Sequence, residues 1–324
     1  MFKHSILKST VALALLAAGG AFPAAFAAEN TDRSKAEPAC SDEAVIFCEN
    51  WEDGDWVGWR DYNAGDSLNN GGYRGGISCA DGSCLLPYPG YNNSKAVALV
   101  LPKDKADAIY PKGPFNTPVD PNDTIYARWR VYFSPGFHFN TTNTKHFYLI
   151  TDAKSYGGGT NRVGFFVRPP NKSKVTEGRP YFHVYRSQVD VEPGTWQASK
   201  ATDIRYEPNQ PGGEELRIVG GRWYEFEIRV TPNPIGQPTG ARLQAWVDGK
   251  LIMDHYDHVS VRKANDHRPY DGIWLSSYFG GGGQSTHPEQ YVLYDDIIVS
   301  KNKRVTTLYQ KVAPPRPPVL LPLE

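Results

Sequence analysis

Trp274-Leu275-Ser276-Ser277-Tyr278-Phe279-Gly280-Gly281-Gly282-Gly283, followed after a short polar loop by Tyr291-Val292-Leu293-Tyr294-Asp295-Asp296-Ile297-Ile298-Val299, is the stretch on which the fold turns. Aromatic, hydroxyl and acidic side chains fall opposite the aliphatic ones. That is the period-2 pattern of two antiparallel strands, and the glycine run supplies the loop between them. A sheet face carrying Tyr, Trp and Ser offers rings to stack on sugars and hydroxyls to hydrogen-bond them.

Outward from this pair, strand-like runs recur between turn signals over 96–101, 125–133, 145–151, 162–168, 181–186, 223–230 and 241–247. Asp248-Gly249 supplies a tight hairpin turn into Lys250-Leu251-Ile252-Met253. Helical periodicity is hard to find after the N-terminal leader, whereas Gly (31), Pro (26) and aromatic residues (13%) are abundant. The combination predicts one all-β sandwich or barrel over residues 29–303. The proline-rich segment 304–324 cannot donate the hydrogen bonds a sheet needs and is expected as a solvated extension.

Residues 1–28 read as a secretion signal: Lys3, His4 and Lys8 lead an apolar run from Val11 to Ala18, and Ala25-Phe26-Ala27 follows as a small-residue cleavage site. The run is too short to span a bilayer. The mature chain is therefore expected outside the cytoplasm, secreted or periplasmic. Cys40, Cys48, Cys79 and Cys84 fit that compartment as loop staples. Three pairings are open, and the local one, Cys40 with Cys48 and Cys79 with Cys84, is favoured by the short separations. Their intervals do not suit zinc. With 35 basic and 35 acidic residues the net charge is zero, so bulk electrostatics point to neither nucleic acid nor a membrane.

Strand parity sorts side chains into two faces. In 162–168, Val163, Phe165 and Val167 form a buried row, so Arg162, Gly164, Phe166 and Arg168 look the other way. In the next strand Phe182 and Val184 are core, leaving Tyr181, His183 and Tyr185 opposite. In 223–230, Tyr224, Phe226, Ile228 and Val230 are core, while Glu225, Glu227 and Arg229 face solvent. Cations and proton carriers thus share one face. β-Elimination of a uronate polysaccharide requires such a set: the C5 proton is weakly acidic until the sugar carboxylate is neutralised, and a base must stand beside it. Arg162, Arg168 and Lys145 are candidates to neutralise; Tyr181, His183, Tyr185 and His146 are candidates to move protons. A phenol serves as base only where neighbouring positive charge lowers its pKa.

On these residues the chain resembles the jelly-roll polysaccharide lyases of the concanavalin A-like superfamily, nearest the alginate and glucuronate lyase group. That group has a Lys before a central strand, a Ser-x-Arg on the strand, a Tyr-x-Tyr on the next, and a Phe-Gly-Gly strand end followed by an aromatic-Asp strand. Lys145 matches the first. Phe166-Val167-Arg168 matches the second with Phe in place of Ser, and Tyr181-Phe182-His183-Val184-Tyr185 matches the third with His added. His183 is also similar to the His that heparin and glucuronan lyases use with Tyr. The openings Phe47-Cys48-Glu49-Asn50-Trp51-Glu52 and Trp246-Val247-Asp248-Gly249-Lys250 match the fold rather than the chemistry.

The resemblance implies a two-sheet antiparallel jelly roll with a groove across its concave face. It assigns carboxylate neutralisation to Lys145 and Arg168, proton abstraction to Tyr185 or His183, and leaving-oxygen protonation to Tyr181. His146, Tyr148, Arg162, Tyr278 and Tyr291 would line subsites. It further implies a structural Ca²⁺ on Glu49, Glu52 and Asp295, with a solvated carboxylate cluster as the alternative. Elimination needs no other cofactor, and the expected partner is an anionic polysaccharide bound by a monomer. A non-catalytic carbohydrate-binding protein would use the same aromatic, charged face. A retaining glucanase would need a close carboxylate pair such as Glu-x-Asp-x-x-Glu, which is missing from the sequence, and Glu225-Phe226-Glu227 belongs to the other sheet. His287, before Pro288, reads as a solvated loop residue.

Overall fold

The computed structural model of the chain describes residues 38–52, 59–61, 90–91, 94, 96–101, 103–104, 111–139, 143–153, 161–171, 174–185, 202–205, 216–280 and 287–304. The leader, Cys79, Cys84 and the tail beyond Arg304 lie outside them, as does the side chain of Tyr278. A short 3-10 turn, Pro38–Ser41, precedes the strands, and Cys40 is bonded to Cys48.

Among the described residues, fifteen strands form two antiparallel sheets. The first sheet runs β13 (Lys250–Val259), β12 (Ala241–Val247), β11 (Trp223–Thr231), β5 (Ile125–Phe133), β15 (Gln290–Lys301). Two strands share the far side of β15: β3 (Val97–Leu101) along its first half and β1 (Val45–Glu49) along its second. The second sheet runs β8 (Glu177–Tyr185), β7 (Arg162–Arg168), β6 (Asn143–Ile150), β14 (Gly272–Gly280), β4 (Pro111–Pro114), β2 (Arg60–Asp61). Here β9 (Thr202–Arg205) and β10 (Ile218–Val219) pair along the outer side of β8. Sequence order and sheet order are interleaved, the arrangement of a jelly-roll sandwich. Asp248 and Gly249 close the β12–β13 hairpin with φ of 50° and 77°, the doubly left-handed turn that matches strand twist.

The core lies where the two inner faces meet, and its residues are those parity assigns: Val163, Phe165, Val167, Phe182, Val184, Tyr224, Phe226, Ile228 and Val230. Trp129 sits among them, stacked on Phe147 at 3.9 Å and met edge-on by Phe165 and Phe226. Burying such rings gives most of the stabilisation, about 25 cal/mol per Å² of apolar surface removed from water.

One irregularity breaks the parity rule. Between the row Leu275–Phe147–Phe165 and the row Tyr278–Lys145–Phe166, β7 has no intervening residue, β6 has His146, and β14 has Ser276 and Ser277. Extra residues accumulate from strand to strand, a double bulge that bends the sheet at this line. It leaves Lys145 on the outer face with Phe166 and turns the His146 ring into the core. There the ring lies 5.6 to 6.2 Å from Trp129, Phe133, Phe165 and Phe226. His146 is wholly buried and neither ring nitrogen has a hydrogen-bond partner. From the facing sheet, the buried Tyr294 hydroxyl donates into the bulge, 2.8 Å from His146 O and 3.2 Å from Ser276 O.

The solvent side of the first sheet also departs from expectation. Glu227 is buried, because Arg304 folds back from beyond the last strand and donates to it through Nε at 2.8 Å and Nη2 at 2.5 Å. So the first residue of the expected tail is anchored to the domain.

Candidate active site

The outer face of the second sheet collects the chemistry. β7 contributes Arg162, Phe166 and Arg168, β8 contributes Tyr181, His183 and Tyr185, and β6 contributes Lys145 and Tyr148. Trp274 enters from β14, opposite Tyr148 in the register. Gly164 makes the floor possible: a Cβ there would stand 2.4 Å from the Phe166 ring, which lies back over the strand. Phe166 then stacks on His183 at 5.3 Å and 21°. Tyr148 stacks on Trp274 at 4.6 Å and meets Phe166 edge-on at 4.9 Å.

The cations are set against these rings. Arg162 Cζ is 4.5 Å from the Tyr185 ring centre, 5.4 Å from Trp274 and 5.9 Å from Tyr148. Lys145 Nζ leans to the same Tyr185 ring at 5.8 Å, and His183 meets Tyr185 at 4.3 Å. Guanidinium and ammonium groups gain from aromatic faces, and the gain rises as water is excluded.

Burial, and then the positive charge of Arg162, lower the Lys145 ammonium from its usual range to about 8. Burial pushes the Tyr148 phenol well above the usual range, the Tyr185 phenol beside it adds to the shift, and Arg162 opposes it. A bound anion relieves both the desolvation of Lys145 and its repulsion from Arg162.

The structure redistributes the residues expected from sequence. Lys145, Arg162, His183, Tyr185 and Tyr148 come together. Arg168 does not join them: it lies 5.2 Å from the Tyr181 ring and pairs across the ladder with Arg179, whereas Tyr185 pairs with Arg162. At about 3.3 Å of rise per strand residue, the six steps from Arg162 to Arg168 span roughly 20 Å, too far for one sugar to bridge. Arg162, not Arg168, thus lies beside Tyr185, and Tyr181 has its ring against Phe166.

Two expected subsite residues are elsewhere. His146 is in the core, turned there by the bulge. Tyr291 is on the outer face of the first sheet, stacked near Tyr132 at 6.4 Å. Tyr278 is opposite Lys145 in the register. His287 is buried, edge-on to Phe279 at 4.8 Å, rather than solvated.

The proposed Ca²⁺ ligands do not converge. Glu49 accepts from Trp51 N and Trp59 Nε1, both at 2.9 Å. Glu52 donates through its backbone to Asn50 Oδ1 at 3.3 Å. Asp295 accepts from Tyr91 N, Ser94 Oγ and Asp296 N, and burial, with Asp296 next to it, pushes its carboxyl well above the usual range. Among the described residues no three His, Cys, Asp or Glu side chains are placed to hold a metal. The Glu49 and Asp295 carboxylates serve protein donors, so these two residues do not fit the ion.

Sequence reasoning missed Lys112. It is buried on β4 opposite Trp274, with its neighbour Gly113 facing Phe47 in the core. The Pro111-Lys112-Gly113-Pro114 context hides the strand, since prolines read as edge or turn.

No protein-family model matches the chain, and no curated protein matches it. Among solved structures the chain is similar to alginate lyase Aly36B, at 15% identity and TM-score 0.47, covering 79% of this chain and 97% of that one. It is also similar to the marine PL-14 alginate lyase from Aplysia kurodai, at 14% and 0.48, covering 67% and 87%. A third is the endo-beta-1,4-glucuronan lyase from the fungus Trichoderma reesei, at 11% and 0.49, covering 79% and 95%. At these identities the likeness is one of fold.

Proposed function

We propose that the protein is an exported polysaccharide lyase that cleaves a uronate polymer by β-elimination. One observation carries the reading: the Lys145 ammonium and the Arg162 guanidinium close on a single phenol, Tyr185, with His183 against it. A uronate carboxylate placed between the two cations loses its charge, which acidifies the C5 proton. Tyr185 or His183 takes that proton, the C5–H electrons form the C4–C5 double bond, and the C4–O bond breaks. The leaving oxygen needs a proton. Tyr185, once it has taken the C5 proton, can return it there. Tyr181 with Arg168 stands farther along the same face.

The test is incubation of the purified protein with alginate, glucuronan and heparin while following ultraviolet absorbance. Elimination yields a double bond conjugated to the carboxylate, which absorbs. New reducing ends without absorbance would indicate a hydrolase, and binding without product a non-catalytic carbohydrate-binding protein.

A further inference from the structure

We infer that Tyr294, on the far sheet and out of contact with substrate, is a positioning residue for this site, holding the double bulge in the form that aims Lys145 into the hollow. The inference rests on the lyase reading for its kinetic consequence alone. Its structural part stands independently.

An inserted residue breaks the ladder and frees backbone groups, which are costly when buried without a partner. At this line β6 carries one insertion and β14 carries two. The side chains on both strands are buried there, His146, Ser276 and Ser277 among them. The side-chain hydroxyls of Ser276 and Ser277 have no hydrogen-bond partner, so they do not satisfy the backbone. Tyr294 does. Its hydroxyl reaches across the core from β15 and lies within donating distance of one carbonyl on each bulged strand.

Position makes the contact consequential. His146 directly follows Lys145, and Ser276 lies two residues before Tyr278, the register partner of Lys145. The two carbonyls that Tyr294 holds therefore flank the strand segment that sets the Lys145 Cα–Cβ direction. A single residue of slip would carry every following side chain to the opposite face. Lys145 would then exchange places with His146, leaving the hollow without its ammonium. Tyr294 stays protonated and able to donate, since burial pushes its phenol well above the usual range.

Tyr294→Phe keeps the ring and removes only the oxygen, so the sandwich survives, as thermal melting will verify. The direct readout is the titration of Lys145 followed by ¹³Cε-lysine NMR, with the resonance assigned through Lys145→Arg. In the parent it is expected to titrate near 8. In Tyr294→Phe it moves further downward, since the slip turns the ammonium toward the core in place of His146, and elimination falls about tenfold in kcat with KM little changed. His146→Leu is the comparator: it repacks the same core but leaves the carbonyl bond, so the Lys145 titration stays in place. An unmoved Lys145 resonance in Tyr294→Phe overturns the inference, as does an equal shift in His146→Leu, which would make it a packing effect. A moved resonance in a protein that eliminates no uronate supports the positioning role and defeats only the lyase reading. Should Tyr294→Phe fail to fold, 4-fluorophenylalanine placed at 294 fills the space of the hydroxyl without a donor, and an unchanged Lys145 titration there overturns the inference equally.

Discussion

Both sheets carry cations on their outer faces, and they neutralise them differently. On the first sheet the partners are carboxylates: Arg130 donates to Asp296 at 2.9 Å and meets Glu225 at 3.3 Å, Arg304 grips Glu227, and Arg242 grips Asp254. On the second sheet Arg162 is packed against Tyr185, Trp274 and Tyr148, Lys145 against Tyr185, and Arg168 against Tyr181. A carboxylate cancels a positive charge, whereas an aromatic face only softens it. Arg130, Arg242 and Arg304 are thus matched charge for charge, whereas Arg162, Lys145 and Arg168 lie against rings.

The sharpest way to break this contrast is to remove one cation from each sheet. Arg162→Ala is expected to lower kcat/KM on a polyuronate by about 10²- to 10³-fold, the usual scale for a preorganised electrostatic group, while the melting temperature stays close to the parent's. Arg130→Ala is expected to do the reverse. It leaves Glu225 and Asp296 without their shared partner, costing about 3–5 kcal/mol of stability by denaturant titration, and the activity of the folded fraction is kept. Similar losses of activity from both would erase the distinction.

A smaller effect separates the core from the hollow. His146 is held neutral by burial, its pKa lowered from 6.5 to about 3. The unfolded chain therefore binds more protons across that window. Stability contributed by this residue is complete above pH 6.5 and declines as pH falls toward 3, at up to about 1.4 kcal/mol per pH unit. The rings packed on His146 belong to Trp129, Phe133, Phe165 and Phe226, none of which titrates there. His146→Leu should remove that slope in urea titrations at successive pH values. An identical slope in both proteins would place the pH dependence elsewhere.

The smallest expected change is in the pH profile. With the Lys145 ammonium lowered to about 8, kcat/KM should decline above that pH as the cation is lost. Lys145→Arg keeps the charge and carries the alkaline limb upward by about one unit or more.

How far the sequence alone leads depends on whether a feature repeats. Strand identity, facing and the Asp248-Gly249 turn follow from period 2 and turn chemistry, and the limits of 125–133, 162–168 and 241–247 coincide with β5, β7 and β12. Parity fails where its assumption fails. One inserted residue sends His146 inward and keeps Lys145 outward, and nothing in Lys145-His146-Phe147 marks the insertion. Parity is also blind to position along a strand, so Arg162 and Arg168 look equivalent until the register joins one to Tyr185 and the other to Tyr181. Glu227 reads as solvated because its cover, Arg304, arrives from far along the chain. The donors to Glu49 and Asp295 are likewise invisible to spacing, since they come from the backbone, Trp59 and Ser94.

The most direct test of the account is ultraviolet absorbance of the unsaturated product from a polyuronate, recorded side by side for the parent, Arg162→Ala and Arg130→Ala. The account predicts a steady rise for the parent and for folded Arg130→Ala, and a rate at least about a hundredfold lower for Arg162→Ala. No rise with the parent on any uronate polymer, or equal rates for parent and Arg162→Ala, would contradict it.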